Sequence, residues 1–406
     1  MAILVLGGNG FIGGQVAMAL EAAGLDVERG ASSRYDLSRL HRAEEWRALV
    51  RGREAVVNAA GIFRESGDRR FDALHTRGPI ALFEACAEEG VPVVQVSALG
   101  ATPDAPTEFL RSKARADERL LSLDIPSLVL QPSLVFGSGG ESSRAFLALA
   151  AAPLILVPGD GGQRIQPVHV NDVAAAIARA IDERRFPRQR VAAVGPRPLT
   201  LREYLGALHE QSAPGKPRFV AIPTGLVRVA ARLRVGLLDT EALRMLEVGN
   251  VADPAPFAAL LGRMPRPVEA FIAPAERGAA RWTAGATAWS PVLRLAIAFM
   301  WIAAAVVSTG LFPREASDAL LARVGITGSL ATIALHGASA LDFALGVATL
   351  AVRRRLVWTL QIALVVAYTV IITIFLPDQW LHPFGPVVKN LPILAAMMLM
   401  RSLEAR

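Results

Sequence analysis

AILVLGGNGFIGGQVAMALEAAG, residues 2–24, decides the fold of the first part of the chain. Ala2 to Leu6 is a short apolar run with Ile and Val, suited to a strand covered on both faces. Gly7, Gly10 and Gly13 follow with the spacing G-x-x-G-x-x-G. Beyond them Val16, Ala17, Leu20 and Ala23 share one helical face, and Gly24 closes the helix. The first glycine makes the turn, the second lets the backbone approach a pyrophosphate, and the third lets helix and strand pack closely. The helix N-terminus attracts the phosphates. A glycine triplet alone is weak, but in the first strand–helix turn of a chain it is much stronger.

The same alternation continues outward. LDVERG (25–30), REAVVNAAG (53–61), VPVVQVSALG (91–100) and IPSLVLQPSLVFG (125–137) read as further strands. Helical patterns at 38–50, 71–89 and 108–122 separate them. Alternating strands and helices imply an α/β, Rossmann-type, doubly wound parallel sheet. Ligands bind at the carboxyl ends of such strands. Gly7–Gly13, Arg29, Asn58–Gly61, Ser97 and Pro132 stand at those ends and are the candidate site.

The 406 residues exceed one ordinary domain, and the apolarity is uneven. Residues 1–285 read as soluble, whereas 291–400 hold long apolar runs with few charges. The net charge of +7 comes from scattered arginines without interleaved aromatics, which argues against nucleic acid as a partner. A single cysteine, Cys86, excludes an internal disulfide and a cysteine-rich metal site, and no metal is expected. MAILVLGGNGFIGG has neither a basic leader nor a cleavage site, so the first domain is expected in the cytoplasm.

GGNGFIGG, YDL, VVNAAG, VSALG, F-x-x-SK, LQPSLVFG and QPVHVNDVA, in that order, resemble the short-chain dehydrogenase/reductase superfamily. They most resemble its atypical extended branch, which includes the nucleotide-binding accessory subunit of respiratory NADH:ubiquinone oxidoreductase. The resemblance covers about residues 1–275. It implies an NAD(P)-binding domain in which Gly7, Asn9, Gly10, Phe11, Ile12 and Gly13 hold the dinucleotide. It implies that Asp36, of the Asp36–Leu37 pair, contacts the adenine. It further implies that Ala59, Ala60, Gly61 and Pro132 border the cofactor, and that Ser97 and Lys113 belong to the catalytic set.

One position departs from this pattern. The family's tyrosine, four residues before the lysine, is Phe109 here. A phenol gives or takes a proton and a phenyl ring does not. The chain has three tyrosines, Tyr35, Tyr204 and Tyr368, and none is placed by sequence as a substitute. Ordinary ketone reduction should therefore be impaired, leaving Ser97 and Lys113 as a remnant pair. Hydride transfer to a flavin or quinone, which needs no tyrosine proton, stays open. Strand two ends VERGASSR, where Arg29 and Arg34 suit a 2′-phosphate, so NADP is expected over NAD; the alternative is that both are solvated loop charges.

Residues 137–275 are expected to cover the site. PVHVNDVAAAIARAI reads as a strand and a helix capped by Asn171 or Asp172, with His169 a structural hydrogen-bonder. DPAPFAALLGRMPRPVEAFI (253–272) resembles the closing helix and tail of the same branch. TGLVRVAARLRVG (224–236) is a basic, apolar-striped helix that fits either a membrane surface or the lobe interior.

After a linker at 276–289, four apolar stretches are expected to span a bilayer at 290–311, 328–352, 356–376 and 386–401. Arg353, Arg354 and Arg355 lie between the second and third, and Arg401 and Arg406 follow the fourth. The positive-inside rule then puts the N-terminal domain and the C-terminus in the cytoplasm of a bacterial-type inner (cell) membrane. Trp289, Trp358 and Trp380 fall at expected interfaces. His336, Asp342, His382, Lys389 and Asn390 are costly polar groups and form a candidate site for a head group, a quinone or a proton path. The alternative is interhelical hydrogen bonding. The four spans with H-P-x-G-P-x-x-K-N are similar to the DoxX-like membrane family over about residues 287–402. The expectation is a membrane-anchored nucleotide-binding protein, with a quinone or other lipid-soluble acceptor as partner. The alternative is a catalytically impaired scaffold for a membrane redox complex.

Overall fold

The structure is a computed structural model that describes residues 1–67, 69–232, 240–382 and 385–404. The end of the basic stretch 224–236, two residues of HPFGP (382–386) and Arg406 lie outside the described residues. The chain divides into two units, Met1–Gly285 and Ala286–Arg406.

In the first unit β1 (Ile3–Leu6), β2 (Val27–Gly30), β3 (Val56–Asn58), β4 (Val93–Val96), β5 (Ser127–Pro132) and β6 (Gln189–Ala193) form one parallel sheet. The order across it is β6-β5-β4-β3-β1-β2. The chain steps from β1 to one side and returns to β3 on the other, so a crevice opens at the carboxyl ends of β1 and β3. Every residue of β1, β4 and β5 is buried, the pattern of strands covered on both faces. On one face α1 (Phe11–Ala22) sets Val16 and Leu20 against Val5, Val57 and Val94. On the other, α2 (Ala43–Val50), α3 (Gly78–Glu89) and α4 (Glu108–Ser122) set Trp46, Leu82 and Leu120 against Leu4, Val56 and Val129. Ala23, expected on the buried face of α1, is instead its exposed C-cap.

Several boundaries differ from the sequence pattern for local reasons. α2 starts at Ala43 rather than near residue 38, because Glu45 accepts from the backbone of both His41 and Arg42 at 2.9 Å and fixes the helix start there. The pattern at 71–89 is one π turn, Asp72–Arg77, running into α3. Pro79 has no N–H to return to residue 75, and the helical ladder widens at that point. Segment 125–137 is two strands, since after β5 the pair Val135–Phe136 leaves the main sheet and joins Val168–His169. The helix α5 (Val170–Asp182) is capped by His169, whose Nδ1 accepts from Asn171 N at 3.2 Å, and not by Asn171 or Asp172. Asp172 is instead buried and paired with Arg263 at 2.6 Å and Arg266 at 3.2 Å, which ties down the tail after helix Ala255–Leu261.

The covering lobe has its own core of Phe136, Ile155, Tyr204, Leu208 and Phe271. Of the striped helix, Val227 and Ala231 pack on Leu243, while Leu226 and Val229 are exposed.

The second unit is helical. Most of the segment expected as a linker, 276–289, is helical. A 3-10 turn, Pro274–Glu276, leads into α6 (Arg277–Val306), and the alanine-rich RGAARWTAGATAW is a good helix former. α7 (Arg314–Arg323) lies between the first two expected spans. α8 (Ser329–Ala351), α9 (Arg355–Phe375) and α10 (Asn390–Leu403) follow. Among the described residues three helical stretches, Pro274–Leu311, Ser329–Ala351 and Arg355–Phe375, are long and apolar enough to cross a membrane. The expected fourth span is shorter. α10 has 14 residues, and at about 1.5 Å per residue it falls short of a bilayer core of about 30 Å. Large apolar side chains such as Phe299, Ile333 and Ile374 point outward, as in a membrane-associated unit.

Trp358 departs from the expected aromatic belt. It is fully buried among Ile297, Leu345 and Met397, with the Arg294 guanidinium 5.2 Å from its ring centroid. Trp289 and Trp380 remain exposed. Beside Trp358 runs a short polar chain. Trp301 Nε1 donates to Gln361 Oε1 at 2.8 Å, and Gln361 Nε2 donates to Thr349 Oγ1 at 2.9 Å. Gln361→Leu should leave a buried indole N–H unpaired and lower stability in detergent by about 1 kcal/mol, read from denaturant unfolding.

Candidate functional site

Gly7 ends β1 at φ +72°, the left-handed region that glycine adopts without strain. A Cβ on Gly7 would stand 2.9 Å from the backbone of Ala59 and Ala60, at the end of β3. A Cβ on Gly13 would lie 2.2 Å from the Gly7 carbonyl oxygen. The turn and the first coil of α1 are therefore in backbone contact with each other and with β3. Gly10 is the N-cap and has no side-chain cap, so the first N–H groups of α1 stay open for an anion. They face a groove of about 360 Å³ lined by Gly8, Asn9, Gly10, Phe11, Arg29 and Ser138. A cradle closed to any Cβ, at a helix N-terminus in the crevice of a parallel sheet, fits a dinucleotide pyrophosphate. Ser138 and Gly139 were not singled out by sequence, although they directly follow the LQPSLVFG run.

The residues of strand two are divided in their roles. Arg29 borders the groove and is held by Glu21 through Nε at 3.2 Å and Nη2 at 2.9 Å. Glu28, the acid that would otherwise meet a ribose, is engaged by Tyr35 and by Arg53 at 2.5 Å. The Tyr35 hydroxyl donates to it and holds its carboxyl below the usual range, with Arg53 and Arg34 adding to the effect. Arg34 is exposed, 3.9 Å from Glu28. Asp36 accepts from Ser38 N at 2.9 Å and Ser38 Oγ at 2.6 Å, so its carboxylate organises its own turn. Leu37 is a core residue, and its carbonyl leaves no room for a Cβ on Gly78. Ile12 packs against the core from α1.

The far end of the site is built from β3, β4, β5 and α4. Asn58 Nδ2 donates to Gln95 at 2.8 Å, and its carbonyl accepts from Ala60 N, which sets the course of Ala59–Gly61. Lys113 is buried and donates to the Val96 carbonyl at 3.2 Å. A Cβ on Gly61 would meet Lys113 Nζ at 3.6 Å and His75 Nε2 at 3.3 Å. Ser97 Oγ lies 2.5 Å from Asp117 Oδ2, and Gln131 Nε2 donates to the same oxygen at 3.3 Å. Pro132 ends β5 beside this group.

Phe109 is largely buried. It packs edge-on against Phe63, Phe71 and His75, and Lys113 Nζ is 5.8 Å from its ring centroid. Neither tyrosine of the first unit replaces it, since Tyr35 faces Glu28 and Tyr204 is enclosed in the lobe core.

Three residues of this end were not found by sequence: His75, Asp117 and Gln131. His75 sits in the π turn, where Nε2 accepts from Ile62 N at 3.0 Å and Nδ1 meets Ser112 Oγ at 3.1 Å. Its acceptor nitrogen is thus in use, and burial, with Lys113 nearby, pushes its pKa down to about 2. Asp117 follows Lys113 by four residues on α4, a spacing that puts both on one helix face and was the available signal. Burial lowers Lys113 to about 8, opposed by Asp117. Burial raises Asp117 to about 6, opposed by the Ser97 hydrogen bond and by Lys113.

The polar candidates in the second unit differ in exposure. Asp342 is buried, whereas His336, His382 and Lys389 are exposed. Six residues turn a helix through about 240°, so His336 and Asp342 face different sides of α8. Asn390 donates to Thr369 Oγ1 at 2.8 Å, an interhelical bond between α10 and α9.

Residues 3–195 match the NAD dependent epimerase/dehydratase family, and residues 298–398 match the DoxX-like family. The chain is 24% identical over 186 residues to a ceramide reductase of Caulobacter vibrioides, covering 46% of this chain and 58% of that protein. It is 24% identical over 207 residues to the mitochondrial NADH-ubiquinone oxidoreductase 40 kDa subunit of Neurospora crassa, covering 51% and 53%. It is 28% identical over 197 residues to the mitochondrial NADH dehydrogenase [ubiquinone] 1 alpha subcomplex subunit 9 of Arabidopsis thaliana, covering 46% and 48%. The chain thus spans about half the length of the curated relatives it matches. Among solved structures, a UDP-glucuronic acid 4-epimerase mutant from Bacillus cereus superposes with TM-score 0.51 at 15% identity, over 70% of this chain and 99% of that one. An NADPH-dependent quinone oxidoreductase from Escherichia coli superposes with TM-score 0.50 at 19% identity, over 66% and 97%. The fold is that of the nucleotide-binding epimerases and short-chain dehydrogenases, joined to a DoxX-like domain.

Proposed function

We propose that this chain is a membrane-held oxidoreductase that uses NADPH to reduce a lipid-soluble carbonyl compound or quinone. The observation that carries the reading is the groove at the β1–β3 crevice, closed to any Cβ at Gly7 and Gly13, in the same fold as the buried Ser97–Lys113 pair. When bound, a reduced nicotinamide supplies a hydride. The open N–H groups of α1 would hold its pyrophosphate, and the buried Lys113, charged below about pH 8, would hold the nicotinamide ribose. The likeness to a protein named for reducing a lipid supports an acceptor of that class. The apolar second unit supports its delivery from a bilayer, with the first unit cytoplasmic and the bundle spanning the inner membrane.

NADPH over NADH follows from the charges at strand two. Glu28 is occupied by Tyr35 and Arg53, and Arg29 borders the groove as a guanidinium fork. Arg29→Ala should weaken NADPH about 10-fold, the loss of one charge-assisted hydrogen bond, and leave NADH within about twofold. A nicotinamide fluorescence titration reads both. Equal losses for the two nucleotides would mean that Arg29 does not touch the 2′-phosphate.

A second reading is a nucleotide-stabilised scaffold for a membrane redox complex. Phe109 favours it, as does the likeness to two NADH dehydrogenase subunits. Full-length protein in lipid nanodiscs decides between the two. NADPH oxidation is followed with a short-tailed ubiquinone and with a long-chain lipid ketone. Nucleotide that binds but is oxidised by neither probe would count for the scaffold.

A further inference from the structure

The geometry points to Asp117 and Ser97 as a proton relay that serves the acceptor oxygen in place of the phenol absent at residue 109. This rests on the reductase reading above. Asp117 is fully buried, yet its Oδ1 has no hydrogen-bond partner among the described residues. A buried carboxylate with an unpaired oxygen is costly, and a proton on the group removes most of that cost. Its other oxygen is 2.5 Å from Ser97 Oγ and also receives Gln131. Ser97 itself follows β4 directly, at the carboxyl end of the sheet where the crevice lies, with its backbone N–H fixed on the Leu130 carbonyl at 2.8 Å. With Asp117 ionised, the single hydroxyl proton of Ser97 is committed to the carboxylate, and Ser97 offers nothing to an acceptor. With Asp117 neutral, Asp117 donates to Ser97, and the Ser97 proton is free to turn toward the acceptor.

The step balances. A carbonyl that receives hydride from bound NADPH gains a C–H bond, and the electron pair of its C=O π bond moves onto oxygen. The Ser97 O–H bond breaks as its proton joins that oxygen. The Asp117 carboxyl O–H breaks to restore the Ser97 hydroxyl. Asp117 is left as a carboxylate and regains its proton from solvent. Asp117 acts through Ser97 and is a positioning residue, whereas Ser97 is the group that meets the acceptor. The charges facing Asp117 are Lys113 on its own helix and Arg190 from β6, both of which lower its pKa, while burial raises it to about 6. His75, held neutral by burial and by the charge of Lys113, adds no charge here. The relay needs the protonated form, whose fraction falls as pH rises through about 6, so the reduction rate should fall above that pH.

Asp117→Asn is the test, in full-length protein in nanodiscs. The amide keeps an acceptor for Ser97 but has no proton to pass on. NADPH affinity should stay within about threefold of wild type, which shows that the site is folded. Single-turnover reduction of the lipid-ketone probe should fall about 100-fold, and the decline above pH 6 should vanish. The infrared difference between wild type and Asp117→Asn should contain the band of a protonated carboxyl that titrates near pH 6, where exposed carboxylates are already ionised. Ser97→Ala should lose the same rate with unchanged nucleotide affinity. An unchanged rate and pH profile in Asp117→Asn, or no such infrared band while wild type reduces either probe, overturns the relay. The band present with neither probe reduced overturns the reductase reading instead.

Discussion

Gly13→Ala is expected to remove measurable nucleotide binding and to destabilise the first unit by about 2–3 kcal/mol. The methyl group would point at the Gly7 carbonyl, 2.2 Å from the oxygen and 2.7 Å from the carbon. Both are backbone atoms, so no side chain can rotate away. Gly7 itself cannot retreat, because it already lies against the backbone of Ala59 and Ala60. The strain is relieved only if the start of α1 lifts from the end of β1. That lifts the open N–H groups of Phe11 and its neighbours away from the position of the pyrophosphate. Losing several charge-assisted hydrogen bonds together, at about 1.5–3 kcal/mol each, corresponds to 10³-fold or more in affinity. Gly14→Ala is the matched control. Its Cβ would meet the Gly8 carbonyl oxygen at 3.5 Å, an ordinary contact. Chemical unfolding and NADPH titration of the two variants separate the outcomes. Equal binding by both would mean that the glycine turn does not hold a dinucleotide.

This turn was legible in the sequence because glycine spacing and a short apolar strand report backbone geometry directly. The strand–helix alternation was legible for the same reason: β1, β4 and β5 are continuous apolar runs, and helical patterns separate them. What escaped the sequence depends on contacts between distant residues. His75 reaches Ile62 and Ser112 only because a π turn forms before Pro79, and no short pattern announces a π turn. That Glu28 is occupied by Tyr35 and Arg53 is likewise a contact between residues apart in the chain. In the second unit hydropathy found the long helices, but hydropathy has no direction. It could not show that Trp358 turns inward under Arg294 or that His336 turns outward from α8. The helical state of 277–289 was not read because an alanine-rich segment with few large apolar residues carries little periodic signal, although its helix propensity is high.

Phe109→Tyr, made in the Asp117→Asn background, should restore at least 100-fold of the lost reduction rate. The two changes act on the same proton. Asp117→Asn removes the relay's source, and a phenol at residue 109 supplies an independent one, since a positioned general acid contributes about 10²–10⁴-fold. Position 109 suits that task. It is on α4, one helical turn before Lys113, whose ammonium lies 5.8 Å from the ring centroid and would stabilise a phenolate. The ring is held by Phe63, Phe71 and His75, so the phenol would be fixed in direction rather than mobile. Held this way, the new hydroxyl either reaches the crevice or is buried without a partner. The second outcome costs about 1–3 kcal/mol of stability and gives no rate. In the wild-type background the gain should be smaller, because the relay already delivers a proton. That non-additivity distinguishes a shared proton from two unrelated effects on the fold. If Phe109→Tyr raises the rate by the same factor with and without Asp117, the acid at 109 and the pair at 97 and 117 serve different steps, and the relay does not stand in for the phenol.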